Sequence, residues 1–176
     1  MRRVLIIFTL AIVILSAVSN ISYASDLEKY RTISEIGTLS NMEKYEAALE
    51  KCTSAMKKYP DEYELYYWSA TIKSSMGDKK SALEDYNKVI SLNPKDGNAY
   101  VMRGICKTDL NDPAGAIEDF NKALEINPKD TAAYSMRACA KLDLGDINGA
   151  NQDLEIANKL YDLQAEVIKT ENKKDK

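Results

Sequence analysis

The sequence predicts an all-α fold, a solenoid of stacked antiparallel helix hairpins, and three observations carry that prediction. Asn93-Pro94-Lys95-Asp96 returns as Asn127-Pro128-Lys129-Asp130, so Pro94 and Pro128 stand 34 residues apart, and Pro60 precedes Pro94 by the same 34. Ala82-Leu83-Glu84-Asp85-Tyr86-Asn87-Lys88, Ala116-Ile117-Glu118-Asp119-Phe120-Asn121-Lys122 and Ala150-Asn151-Gln152-Asp153-Leu154 take one place in successive copies. Ahead of each, an aromatic is followed four positions on by a small residue: Tyr66 and Ala70, Tyr100 and Gly104, Tyr134 and Ala138. A fixed period of this length marks copies of one supersecondary unit that stack to share a core. Such arrays present extended binding surfaces and seldom a catalytic pocket.

Taken from the N-terminus, the first element is not part of the array. Arg2-Arg3 precede an apolar run from Val4 to about Val18, and Ser22-Tyr23-Ala24 places small residues at the −3 and −1 positions of a cleavage site. This order reads as a secretory signal covering residues 1–24, cleaved after Ala24. The alternative is an uncleaved membrane anchor over residues 4–21, which is borderline for the roughly 20 residues a spanning helix needs. No cysteine stands directly after the run, which argues against a lipid-modified anchor, and the longer twin-arginine pattern is missing. The general secretion route is therefore expected, with a periplasmic or extracellular destination.

Residues 27–60 form a degenerate first unit. Its second helix, 45–59, keeps Ala48, Cys52 and Ala55 in pattern, while its first lacks the aromatic and sets Glu35-Ile36-Gly37 where a small pair belongs. Units at 61–94, 95–128 and 129–162 are full. In the second of these, apolar or small residues recur at steps of three and four over 100–110 and 113–126, so Ala116, Phe120, Ala123 and Leu124 share a helix face. Asp112 can cap the second helix, and Pro113 fits its first turn. Gly77 and Gly145 supply a left-handed residue ending each first helix, with Asn111 as the tolerated substitute. Asn-Pro ends the second helix, because a residue before proline avoids helical geometry. One hairpin cannot bury its apolar stripe alone, so the units must stack. After the last unit Tyr161-Asp162 replaces Asn-Pro and no Gly or Pro follows Ala150. The last helix is expected to run to about Thr170 on Leu154, Ala157, Tyr161, Ala165 and Ile168, leaving 171–176 as a disordered tail.

Composition narrows the function. The 176-residue chain carries 24 basic and 27 acidic side chains; losing residues 1–24 would remove two arginines and no acid, leaving 152 residues and a balance of −5. An acidic surface with interspersed charge does not suit nucleic acid, which needs a concentrated basic stripe. There is no histidine, no Cys-x-x-Cys and no glycine-rich phosphate loop, so neither an enzyme nor a cofactor or metal site is expected. Asp146-Ile147-Asn148-Gly149 with Glu155 imitates the later part of a calcium loop, but its first ligand would be Leu144, which offers no side-chain oxygen. Asp85, Asp119 and Asp153 recur at one helical offset, and pairing with Arg103 and Arg137 explains them better than acid–base work. Cys52 and Cys106 fall at core offsets and read as small buried hydrophobes. Cys139 falls one offset earlier than Cys106 and is the thiol most open to solvent, with a Cys106–Cys139 bridge or an intermolecular bridge as alternatives.

The stretches Tyr100-Val101-Met102-Arg103-Gly104 and Gly115-Ala116-Ile117-Glu118-Asp119-Phe120-Asn121-Lys122-Ala123-Leu124-Glu125-Ile126-Asn127-Pro128 resemble the tetratricopeptide repeat in a common bacterial version. The resemblance covers residues 61–160 well and 27–60 in part. It implies a right-handed superhelical solenoid of about three full repeats, a degenerate first repeat and a C-terminal capping helix. It also implies a concave groove lined by the first helix of each unit: Tyr67, Thr71 and Ser74, then Val101, Ile105 and Thr108, then Ser135, Cys139 and Leu142. Some family members grip a C-terminal carboxylate there with Lys, Asn and Arg. Here the corresponding offsets hold Val101, Ile105, Tyr67 and Ser135, so that clamp is missing. The function implied is an exported adaptor or scaffold that binds a protein or peptide segment in the groove, with Tyr67 and Ile105 as anchors. The alternative is a membrane-tethered spacer of an envelope complex. The partner's identity and the oligomeric state stay open, because a fold does not determine them.

Overall fold

A computed structural model describes residues 23–174 of the chain, with side chains through Glu166. The expected signal or anchor segment lies outside the described residues apart from Tyr23 and Ala24, as does the Ile168 side chain. Among the described residues there are eight helices and no strand. They are α1 (residues 23–41), α2 (Tyr45–Lys58), α3 (Tyr63–Ser75), α4 (Lys79–Leu92), α5 (Gly97–Asp109), α6 (Pro113–Ile126), α7 (Thr131–Asp143) and α8 (Ile147–Lys174). None of them is long and apolar enough to cross a membrane. The chain forms two compact units, Met1–Pro60 and Asp61–Lys176.

Each hairpin turns in the same way. Gly77 (φ 88°), Asn111 (φ 64°) and Gly145 (φ 79°) are left-handed, and so is Glu43 (φ 56°), which the sequence pattern did not single out. Beyond each of the four, a backbone N–H reaches back five residues to close the first helix: Lys44 to Leu39 O at 2.9 Å, Asp78 to Lys73 O at 2.9 Å, Asp112 to Lys107 O at 2.8 Å and Asp146 to Lys141 O at 2.9 Å. This bond satisfies a carbonyl that the helix end leaves without an intrahelical donor. The next helix then starts on an aspartate in three of the four hairpins. Asp78, Asp112 and Asp146 accept from the backbone N–H of Ser81, Gly115 and Gly149 at 3.1, 2.9 and 2.9 Å. Asp96 and Asp130 do the same for α5 and α7, accepting from Ala99 and Ala133 at 3.1 and 3.0 Å. Caps of this kind contribute about 1 kcal/mol each.

Helices α4 and α6 stop at Leu92 and Ile126, ahead of Asn93-Pro94 and Asn127-Pro128. Helix α8 meets no such break and runs 28 residues to Lys174, past the expected end near Thr170 and into the expected tail, of which Asp175 and Lys176 lie outside the described residues. The physical reason is in the sequence itself, which offers no helix breaker after Gly149.

Within Asp61–Lys176 the pairs α3–α4, α5–α6 and α7–α8 are hairpins, α4 packs on α5, and α6 on α7. Helix α3 also touches α5, and α5 touches α7, whereas α4, α6 and α8 do not touch one another. The first helices therefore lie side by side on the inner face of this unit, and the second helices splay on the outer one. Close approach inside a hairpin depends on small residues. A Cβ added at Gly104 would lie 2.7 Å from Phe120 Cε1, so the ring occupies the space of a missing side chain. Tyr86, at the matching place one unit earlier, is likewise fully buried beside Ala70 and Ala82. In the first unit the sizes are reversed at the same two offsets: Ile36 stands where others have alanine or glycine, and Cys52 where the next two units have Tyr86 and Phe120. Both are fully buried, as expected of an exchange that conserves total core volume.

Gly104→Ala is expected to destabilise the chain by about 1–3 kcal/mol, the usual cost of overpacking a filled core. Urea unfolding followed by circular dichroism measures it, and adding Phe120→Leu should recover part of the loss.

Candidate functional site

The inner face of Asp61–Lys176 is built from one side of α3, α5 and α7. Residues at i, i+4 and i+7 share a helix face, which brings Tyr67, Thr71 and Ser74 together on α3, Val101, Ile105 and Thr108 on α5, and Ser135, Cys139 and Leu142 on α7. Their accessibility is uneven. Ser74 and Val101 are buried and are unavailable to a partner. Ser74 Oγ accepts from Lys79 Nζ at 2.9 Å and from the Cys106 thiol at 3.5 Å, while Val101 belongs to a core cluster with Phe120 and Leu124. Both positions border the seam between neighbouring first helices, so packing claims them. Tyr67, Thr71, Ile105, Thr108 and Ser135 are half-buried, and Cys139 and Leu142 are exposed, Leu142 by 48%.

Three hydroxyls of this face already spend their protons on their own helices. Thr71, Thr108 and Ser135 donate to the carbonyls of Tyr67, Gly104 and Thr131 at 2.9, 3.2 and 3.0 Å. Thr71 Oγ1 also lies 3.1 Å from Tyr86 Oη, which is left to act as the donor. The Tyr67 ring meets the Tyr86 ring edge to face at 5.9 Å, and burial pushes both hydroxyls above their ordinary pKa. The result is a neutral strip whose threonine and serine oxygens accept rather than donate. Cys106 and Cys139 are both free thiols, the first buried and the second exposed, so no bridge joins them. Among the described residues no cluster of Cys, Asp or Glu gathers as a metal site, and Asp146 acts as the cap of α8.

The charges of the first helices point elsewhere, into a ladder repeated every 34 residues. The Arg103 guanidinium grips the buried Asp119 carboxylate with two bonds, Nε to Oδ2 at 2.9 Å and Nη2 to Oδ1 at 2.6 Å. Its third nitrogen, Nη1, donates to Asn87 Oδ1 of the preceding unit at 2.7 Å. Arg137 repeats this with Asp153 at 2.8 and 2.6 Å and with Asn121 at 2.6 Å. Lys107 and Lys141 add a second cation to Asp119 and Asp153 at 2.9 and 2.8 Å. In the unit before, Ser69 and Lys73 together hold Asp85, each at 2.6 Å. The arginine pairings follow the sequence expectation. The lysines and asparagines were missed, although Lys73, Lys107 and Lys141 recur at one offset and were legible as a set.

With that geometry in place, models of the tetratricopeptide repeat match residues 63–96 and 97–130. The matched residues are the α3–α4 and α5–α6 hairpins. The α7–α8 hairpin reproduces their turn, caps and ladder one period later. Among curated proteins no sequence matches the chain. Among solved structures the fold is shared by a crystal structure of MamA, with a TM-score of 0.73 at 20% identity over 77% of this chain and 79% of that one. A MamA fragment from Desulfovibrio magneticus RS-1 follows with 0.72 at 18% identity, covering 77% of each chain. TTC0263, a thermophilic tetratricopeptide-repeat protein from Thermus thermophilus, gives 0.67 at 21% identity, covering 76% and 75%. The shared architecture is an all-α helical-repeat solenoid. The two matched repeats support a protein–protein interaction module as the coarse role of the chain.

Burial alone would raise the Asp153 pKa, but the bonds from Arg137 and Lys141 outweigh it and hold the carboxyl below its ordinary value. A depressed carboxylate stabilises the fold above its unfolded pKa of about 3.9, and that contribution is lost as pH falls through the folded value. Asp153→Asn is therefore expected to cost about 3 kcal/mol near neutral pH, because it strands two half-buried cations. The gap between wild type and variant should hold constant above roughly pH 5 and shrink below pH 4 in urea titrations.

Proposed function

We propose that the protein is an exported adaptor that holds a neutral segment of a partner protein, extended or helical, along the inner face of its repeats. The observation that carries this reading is the separation of charge from surface. Every cation and acid of the ladder is engaged between helices, while Tyr67, Thr71, Ile105, Thr108, Ser135, Cys139 and Leu142 leave an uncharged strip of apolar groups and hydrogen-bond acceptors. An extended partner backbone would donate N–H groups to the threonine and serine oxygens, and Tyr67, Ile105 and Leu142 would anchor an extended or a helical segment through apolar contact. Export rests on Arg2-Arg3, the apolar run and Ser22-Tyr23-Ala24.

Two measurements test the two halves. Affinity purification from the native host should recover a partner with wild type and lose it with Tyr67→Ala/Ile105→Glu, after circular dichroism has shown equal helicity. Equal recovery by both would remove the inner face from consideration. The intact mass of the purified protein should correspond to a chain beginning at Ser25; a chain retaining residues 1–24 in the membrane fraction would favour the tethered spacer instead.

A further inference from the structure

The stack of Asp61–Lys176 ends on a face prepared for one more helix. Helix α4 is covered by α5 and α6 by α7, whereas α8 packs on α7 alone within this unit. Tyr86 and Phe120, which sit at matching places on α4 and α6, are 0% and 1% exposed, yet Leu154 at that place on α8 is 39% exposed. Ile147 and Tyr161 lie seven residues to either side on the same stripe and are 63% and 66% exposed. A polar group completes the pattern. Where Asn87 and Asn121 accept an arginine from the next helix, α8 carries Glu155. Its carboxylate is highly exposed and pairs with Lys159 of its own helix, at 2.6 Å.

We infer that this face of α8 docks an amphipathic helix from a partner protein, one that lays small residues against Leu154 and directs an arginine to Glu155. The argument is the continuation of the stacking interface already present twice in the molecule, with the neutral acceptor replaced by an anion. A carboxylate binds guanidinium more strongly than an amide does. The same charge disfavours a second copy stacking its own first helix in register, because Glu35 stands at the arginine offset of that helix. This inference is independent of the inner face, since α8 contributes nothing to that strip.

The probe is a stapled, fluorescent helix with the sequence Thr131–Asp143, which presents Ala133, Ala140 and Arg137 as α7 presents them to α6. Fluorescence anisotropy against the full chain should show saturable binding, weakened at least tenfold by Leu154→Glu and by Tyr161→Lys. The probe carrying Arg137→Glu should lose binding to wild type and regain it with Glu155→Arg. Tyr67→Ala/Ile105→Glu should leave binding unchanged, which separates this result from failure of the inner-face reading. No saturable binding to wild type, equal binding to both α8 surface variants, or no rescue by the charge exchange would overturn the inference. So would a dimer seen by sedimentation that Leu154→Glu abolishes, because the face would then belong to a second copy.

Discussion

Phe120 lies against Gly104 with no room for a methyl group between them, and the rest of the array follows from that approach. It draws α5 and α6 together, so their outward surfaces become one platform on which α7 can settle through Ala133 and Ala140. Side chains in such a core sit at crystal-like density, so a change of one carbon is felt across the hairpin. The aromatic-on-small arrangement also explains why the first unit tolerates Ile36. Its opposite number at the aromatic offset is Cys52, and bulk is exchanged between the two positions rather than added.

Apolar packing alone would allow neighbouring hairpins to slide by a turn. The ladder of Asn, Arg, Asp and Lys opposes that slip, because each arginine can reach its own aspartate and the preceding asparagine together in one register only. Buried ion pairs are weak evidence for net stability. Their worth here is in alignment: a displaced Arg103 would leave Asp119 buried without its fork of donors. Arg103 and Arg137 also lie over the Tyr100 and Tyr134 rings at 5.5 and 5.3 Å, which holds each guanidinium plane in place. Drawing these charges inside the stack is what leaves the inner strip neutral.

The fold was legible because its determinants are local and repeat. Asn-Pro, the left-handed glycines and Asp112 act through backbone geometry within a few residues, and 34-residue spacing exposes them without any knowledge of contacts. The inner face was legible in outline only. Helical periodicity assigns Ser74 and Val101 to the same side as Thr71 and Ile105, but burial depends on how closely the next helix approaches, and a register holds no such distance. The end of α8 was misplaced for the opposite reason. A weakly amphipathic, charged tail reads as fraying, whereas the absence of any breaker lets the helix continue. On α8, Leu154 and Tyr161 read as part of an inner stripe and stand exposed with Ile147, because the pattern assumes a neighbour and does not say whether one is present.

Glu43 turns the first hairpin with φ 56°, a conformation that Gly77 and Gly145 reach without steric cost. A side chain held there raises the free energy of the closed turn by roughly 1–2 kcal/mol. The α1–α2 connection is therefore a shallower local minimum than the two glycine turns. Its amides would exchange with solvent through brief openings that the turns at Gly77 and Gly145 resist, so this hairpin breathes more readily than the two closed by glycine.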